Sequence, residues 1–152
     1  MTSQTIKTKE PNEVKALRLY LESQTADREP LADRIQEAQD LIDRGDYLVL
    51  TDEEADEKAK EYILDSVWAF NYSFLCAHSG AIAEIPEKEY IEMAGKLCES
   101  FNKAVLAMIP DKEHFIKDAI MADGRGHFLS PYDGNENEIK VGKEYYFIYR
   151  QN

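Results

Sequence analysis

The sequence predicts an α+β fold, mainly helical, with about five helices packed on a small, largely antiparallel sheet. Three observations carry this prediction. Apolar residues recur at helical spacing through most of residues 12–121, a short β-favouring run interrupts them at 47–50, and the C-terminal stretch turns extended and aromatic. With 152 residues and 43% hydrophobic content, the chain is long enough for one core and too short for two comfortable domains. The expected organisation is a flexible tail over 1–9 and a single globular domain over 10–152.

Residues 1–9 are rich in Thr, Ser, Gln and Lys and show no periodicity. After Pro11, Val14, Leu17 and Leu21 share one face with Tyr20 beside them, which predicts a helix over 12–23. Pro30 suits a first helical turn, and Leu31, Ile35, Ala38, Leu41 and Ile42 form the inward stripe of a second helix that Gly45 ends. Tyr47-Leu48-Val49-Leu50 reads as a strand.

Thr51 and Glu54 form a capping box, each satisfying an orphan backbone donor of the next helix. Ala55, Ala59, Tyr62, Ile63, Val67, Phe70 and Phe74 predict that this helix is the longest, running inward-faced to Gly80 with Trp68 near its middle. Pro86 opens a fourth helix with the stripe Tyr90, Ile91, Ala94, Leu97, Phe101, Val105 and Met108, stopped by Pro110. Asp111 caps a fifth that carries Phe115, Ile116, Ala119 and Ile120 to Asp123-Gly124. Residues 127–130 and 139–141 read as extended, and Gly142-Lys143 as a type II′ turn into Tyr145-Tyr146-Phe147-Ile148-Tyr149. Apolar residues on both faces of that run call for helices over at least one side.

Thirty acidic against 18 basic side chains give a formal net charge of −12. Such a chain repels the phosphate backbone, so direct nucleic-acid binding is excluded; the same charge attracts a basic surface on a protein partner. No apolar run approaches the roughly 20 residues of a membrane-spanning helix, and the polar first ten residues do not resemble a secretory signal. The expected protein is cytoplasmic. Cys76 and Cys98 fall within amphipathic helical patterns and are expected as free, buried thiols.

Chemistry-bearing residues gather in the glycine-rich run Asp123–Asn137, which holds Gly124, Gly126 and Gly134. Glycine beside hydrogen-bonding side chains describes a shaped loop. If that loop folds back, Arg125, His127, Tyr132 and Asp133 supply an anion clamp, a base and an orienting carboxylate. The alternative is a joint, a helix stop followed by strand entry. No P-loop or dinucleotide fingerprint occurs. His78, His114 and His127 with Cys76 and Cys98 lack the paired spacings of a zinc site, apart from Cys76-Ala77-His78. Asp133, Asn135, Asn137 and Glu144 match four positions of a calcium loop, but Glu138 stands where Gly is required and the flanks read as strands. No metal and no cofactor are expected.

The third helix starts with an acidic face. Glu54, Glu57, Glu61 and Asp65 recur every three or four residues and form one stripe, opposed in the same stretch only by Lys58 and Lys60. The stripe compensates the helix dipole and solvates the outer face; it also suits a Lys/Arg-rich groove, as an imitation of a phosphate row.

The segments Leu50-Thr51-Asp52-Glu53-Glu54-Ala55-Asp56, Asp65-Ser66-Val67-Trp68-Ala69-Phe70-Asn71, Gly126-His127-Phe128-Leu129-Ser130-Pro131-Tyr132-Asp133-Gly134 and Tyr146-Phe147-Ile148-Tyr149-Arg150 together resemble a family of small proteins carried by bacteriophages and other mobile elements. The resemblance spans about two thirds of the chain, and the family brings no established catalytic residues. It implies an accessory protein acting in a host cell. The function expected is non-enzymatic: binding a host or phage protein with a basic surface through Glu54, Glu57, Glu61 and Asp65, with inhibition of a nucleic-acid-handling defence protein by charge mimicry as one form. Two alternatives stay open. One is a small enzyme acting on an anionic substrate at Arg125, His127, Tyr132 and Asp133; the other is a homodimer pairing the strand of Tyr145, Phe147 and Tyr149 edge to edge.

Overall fold

A computed structural model describes residues 10–26 and 29–152; the tail expected over 1–9 lies outside the described residues. The fold is α+β and mainly helical, with a three-stranded antiparallel sheet. The chain divides into two compact units, one formed by the described residues up to Ala55 together with Leu129–Asn152, the other by Asp56–Phe128.

The first unit contains α1 (Asn12–Ser23), α2 (Leu31–Asp43), β1 (Tyr47–Thr51), β2 (Asn137–Val141) and β3 (Glu144–Arg150). The strand order is β1-β3-β2: β3 pairs Tyr146 with Thr51 and Arg150 with Tyr47 on one side, and Ile148 with Asn137 and Glu144 with Val141 on the other. The last run is therefore the central strand, and both its edges are occupied. Edge-to-edge dimerisation through Tyr145, Phe147 and Tyr149 is ruled out by that position, because a strand paired on both sides has no free N–H row to offer. Period-two alternation turns Tyr146 and Ile148 to the face that packs with Val14, Ala16, Leu17, Ala38, Val49 and Val141, so α1 and α2 cover one side of the sheet as required.

The Gly142-Lys143 turn is type II′. Gly142 has φ 64°, while Cys98 is the sole non-glycine with positive φ among the described residues, so Lys143 lies on the negative side. On α1, Arg18 is held between Glu10 and Glu22, at 2.6 and 2.9 Å, and Glu22 also bonds Arg34 of α2. The hydrogen bonds from Arg18 to Glu10 more than offset its partial desolvation and hold the guanidinium in its charged form.

The predicted capping box is present. Thr51 N–H donates to Glu54 Oε1 at 3.0 Å, and Glu54 N–H to Thr51 Oγ1 at 3.3 Å, opening α3 (Asp52–Asp65). The helix does not run on to Gly80. It stops at Asp65, and a 3₁₀ turn over Val67–Ala69 leads to α4 (Tyr72–His78). The reason is a side chain distant in sequence: Asn102 donates to the Leu64 carbonyl at 2.7 Å and accepts the Trp68 N–H at 3.2 Å, satisfying backbone groups that a continuous helix would have paired internally. Phe70 is then extended, and Asn71 caps α4 by accepting the Ser73 N–H at 2.8 Å.

After α5 (Gly80–Ala83), the fourth predicted helix is also divided, into α6 (Glu87–Leu97), a 3₁₀ turn over Cys98–Phe101 and α7 (Asn102–Ala107). Cys98, at φ 48° and ψ −127°, cannot continue a right-handed helix. Along these segments Tyr90, Phe101 and Val105 are buried, while Ile91 and Leu97, expected on the same inward stripe, are 56% and 45% exposed. Both cysteines are free, but Cys98 is exposed and Cys76 half-buried, which corrects the expectation of two buried thiols.

Asp111 caps α8 (Lys112–Asp123) by accepting the His114 N–H at 3.1 Å. Gly124, at φ 81°, ends it. The extended segment predicted over 127–130 is instead mostly a short helix, α9 (Arg125–Leu129), because one glycine turn lets the chain restart a helix as readily as enter a strand. No helix among the described residues is long and apolar enough to cross a membrane.

Candidate functional site

Within Asp56–Phe128, the breaks after α3 and α8 shape an aromatic groove of about 680 Å³. Tyr62, which the stripe placed inward, is 52% exposed and forms part of its wall. Phe70 and Phe74 continue that wall, each packing its ring against Phe115 at 5.2 and 5.3 Å, and Phe128 lies 5.9 Å from Tyr62. Ser66, Asn71, Ser73, Asp123 and His127 supply the polar lining, in which Asp123 is the one carboxylic acid. A cleft with aromatic walls and few polar groups suits a planar or cationic ligand better than an anion.

The four residues expected to build a catalytic loop each engage their own surroundings. Arg125 donates to Asp56 at 3.0 Å, so its charge is already matched. His127 stands at the groove with its ring edge-on to Phe128 at 5.0 Å. In the other unit, Tyr132 lies under the Arg150 guanidinium at 3.8 Å, a cation–π contact. Asp133 accepts the Asn135 N–H at 2.9 Å and lies 2.8 Å from the Ser130 hydroxyl, and Ser130, 1% exposed, also accepts the Arg150 N–H at 3.1 Å. The Asn135 N–H holds the Asp133 carboxyl below its ordinary range against partial desolvation, with the Ser130 hydroxyl adding to the effect. Residues 130–135 thus form a hydrogen-bonded knot at the end of the sheet, and Asp123, His127 and Phe128 border the groove.

Glu54, Glu57, Glu61 and Asp65 are all exposed on α3. Glu54 is committed to its cap. Glu57 lines a second groove of about 490 Å³ between α3 and α8, with Asp56, Lys60, Glu113, Ile116, Lys117, Ile120 and Met121. Lys60 bridges it to Glu113 at 3.0 Å, and that bond, with the neighbouring carboxylate of Glu57, raises the ammonium above its ordinary range. Met121 is 84% exposed, so this charged groove also presents an apolar side chain to solvent.

A third cluster was not anticipated from the sequence. His78, the last residue of α4, has its Nε2 at 3.0 Å from Asp118 Oδ2, and His114 Nε2 lies 3.4 Å from the same oxygen. One potential ligand atom from each residue falls within 4.8 Å of the other two. The sequence carries no expectation of a metal, and the zinc set it offers for weighing pairs histidines with cysteines and leaves Asp118 out. The available signal was His114 and Asp118 one turn apart on a predicted helix, and nothing local to them announces His78.

No family model matches the chain, and comparison with curated proteins and with solved structures returns no match.

Proposed function

We propose that the chain is an acidic accessory protein that works by binding a protein partner with a basic surface, through the outer face of α3. The observation that carries this reading is the α3/α8 groove, whose lining brings the exposed carboxylate of Glu57 together with the exposed Met121. Glu61 and Asp65 continue the row along the helix at one-turn spacing. Charge at such a rim steers a basic partner and sets salt dependence, while a central apolar side chain supplies affinity. The net charge of −12 favours a partner built to hold nucleic acid, and the resemblance to mobile-element proteins is the ground for expecting a defence protein of the host cell, met in its cytoplasm and blocked by occupation of its nucleic-acid channel.

The test is co-purification from host lysate at low and moderate salt, with the Glu57→Lys/Glu61→Lys/Asp65→Lys variant in parallel. A basic partner released as salt rises and lost by the variant is the expected result. A partner that the variant retains, or no partner at either salt, overturns the proposal.

The aromatic groove favours a second reading, a small enzyme or ligand-binding protein using His127 and Asp123. Under that reading His127→Ala abolishes activity or ligand binding and leaves the thermal midpoint within about 1 °C, since the ring is exposed.

A further inference from the structure

We propose that His78, His114 and Asp118 form a binding site for one divalent first-row transition ion, held by the Nε2 atoms of both histidines and a carboxylate oxygen of Asp118. This site is distinct from the α3 face and does not depend on it.

The donor set comes first. Two imidazoles and one carboxylate suit zinc, iron, cobalt or nickel, whereas magnesium and calcium call for oxygen ligands throughout. Spacing is the second argument. Bonds of roughly 2.0–2.2 Å to a tetrahedral ion place ligand atoms about 3.3 Å apart. The two histidine nitrogens already stand 3.0 and 3.4 Å from the Asp118 oxygen, so two of the three spacings match, and the three ligand atoms all lie within 4.8 Å of one another.

The ligands are also held in place. His114 and Asp118 are one turn apart on a twelve-residue helix whose first turn is pinned by Asp111. The His78 side chain is 5% exposed, with its ring 5.3 Å from Phe74 and 5.1 Å from Phe115, so its direction is fixed by packing. Burying a polar ring between aromatics is costly unless its nitrogens find a partner. Access is provided on the other side, where the side chains of His114 and Asp118 are 61% and 38% exposed.

Three protein ligands with an open approach describe a site that keeps a coordination position for water or a small ligand, unlike the closed four-ligand structural sites. In a chain of net charge −12, the ion supplies a local positive centre to which an anionic group can bind. It also ties the end of α4 to α8.

The experiment uses the untagged full chain, stripped with chelator and titrated with Zn²⁺ by calorimetry and with Co²⁺ by visible absorption. One ion per chain is expected, with a thermal midpoint raised by roughly 5–10 °C when free Zn²⁺ exceeds Kd a hundredfold. His114→Ala, at an exposed side chain, keeps the circular dichroism spectrum and weakens Zn²⁺ binding by about 100-fold or more. Asp118→Ala does the same, and His127→Ala leaves binding unchanged. The proposal is overturned if no ion binds, if His114→Ala and Asp118→Ala bind as the parent does, or if the loss accompanies His127→Ala. The Glu57→Lys/Glu61→Lys/Asp65→Lys variant retains the ion, so failure of the partner reading and failure of the metal reading are read separately.

Discussion

The sheet-centred unit and the helical unit satisfy their backbones in different ways. In the first, two helices and three strands succeed one another through regular ladders, and turns such as Gly142-Lys143 close them locally. In Asp56–Phe128, short helices succeed one another through breaks, and several orphan backbone groups at those breaks are met by side chains: Asn102 at Leu64 and Trp68, Asn71 at Ser73, Ser79 at Ile82. A ladder excludes ligands from its own hydrogen-bonding groups, whereas a broken helix opens concave surface. Both grooves argued for function and the histidine cluster lie in the second unit. The candidate chemistry lies where the chain is irregular.

That contrast is broken most directly at Asn102. Replacing it with Ala strands the Leu64 carbonyl and the Trp68 N–H, and a cost of about 2–3 kcal/mol is expected in chemical denaturation. Trp68 is the single tryptophan, so its fluorescence reports the same region, and a change confined to Trp68 with unaltered exchange protection in β3 would show that the break is held locally. A cost under about 0.5 kcal/mol would mean that the break is encoded elsewhere, since stranding two part-buried backbone groups costs more than that.

Acid sharpens the comparison from the side of the sheet. The carboxyl of Asp133 is lowered in the folded chain, so its contribution to stability is fully present above the unfolded value of about 3.9 and is lost as pH falls through the folded one. Asp133→Asn is expected to flatten the stability profile below about pH 4 while leaving it unchanged in shape at neutral pH. An acid limb as steep as that of the parent would remove Asp133 from the account.

The smallest effect is expected at Tyr90, 2% exposed, whose hydroxyl is the sole buried side-chain polar atom without a hydrogen-bond partner among the described residues. Burial pushes its phenol up to about 12. Tyr90→Phe removes an unpaired polar atom and keeps the ring that packs on Phe101 and Tyr72, so stability is expected to stay level or rise by about 1 kcal/mol. A loss greater than that would reveal a partner for the hydroxyl.

The α+β class, the first two helices, the 47–50 strand, the capping box, the helix opened by Asp111 and the terminal hairpin were all legible, because each rests on a periodicity or a local hydrogen bond between residues at most a turn apart. The acidic face of α3 was legible for the same reason. The break after α3 was not, because its apolar stripe continues through Val67 and Phe70 while the group that stops the helix is Asn102. Asn71 and Ser73 were the only local hint. Nothing in the sequence marks Cys98 as a left-handed position. The helix at Arg125–Leu129 is not legible in the sequence, because Gly124 signals a stop without specifying whether a strand or a new helix comes next.

By itself, then, the sequence determined the fold class, the order of most elements, the charge and the exposed carboxylate row. All of these depend on residue type and spacing along one element. Only the tertiary structure decided that β3 is the central strand, that two long helices are broken, that Arg125 is spent on Asp56, and that His78 meets His114 and Asp118. Each of these is a pairing between residues far apart in the chain, settled by which buried backbone groups and side chains find partners once the elements pack.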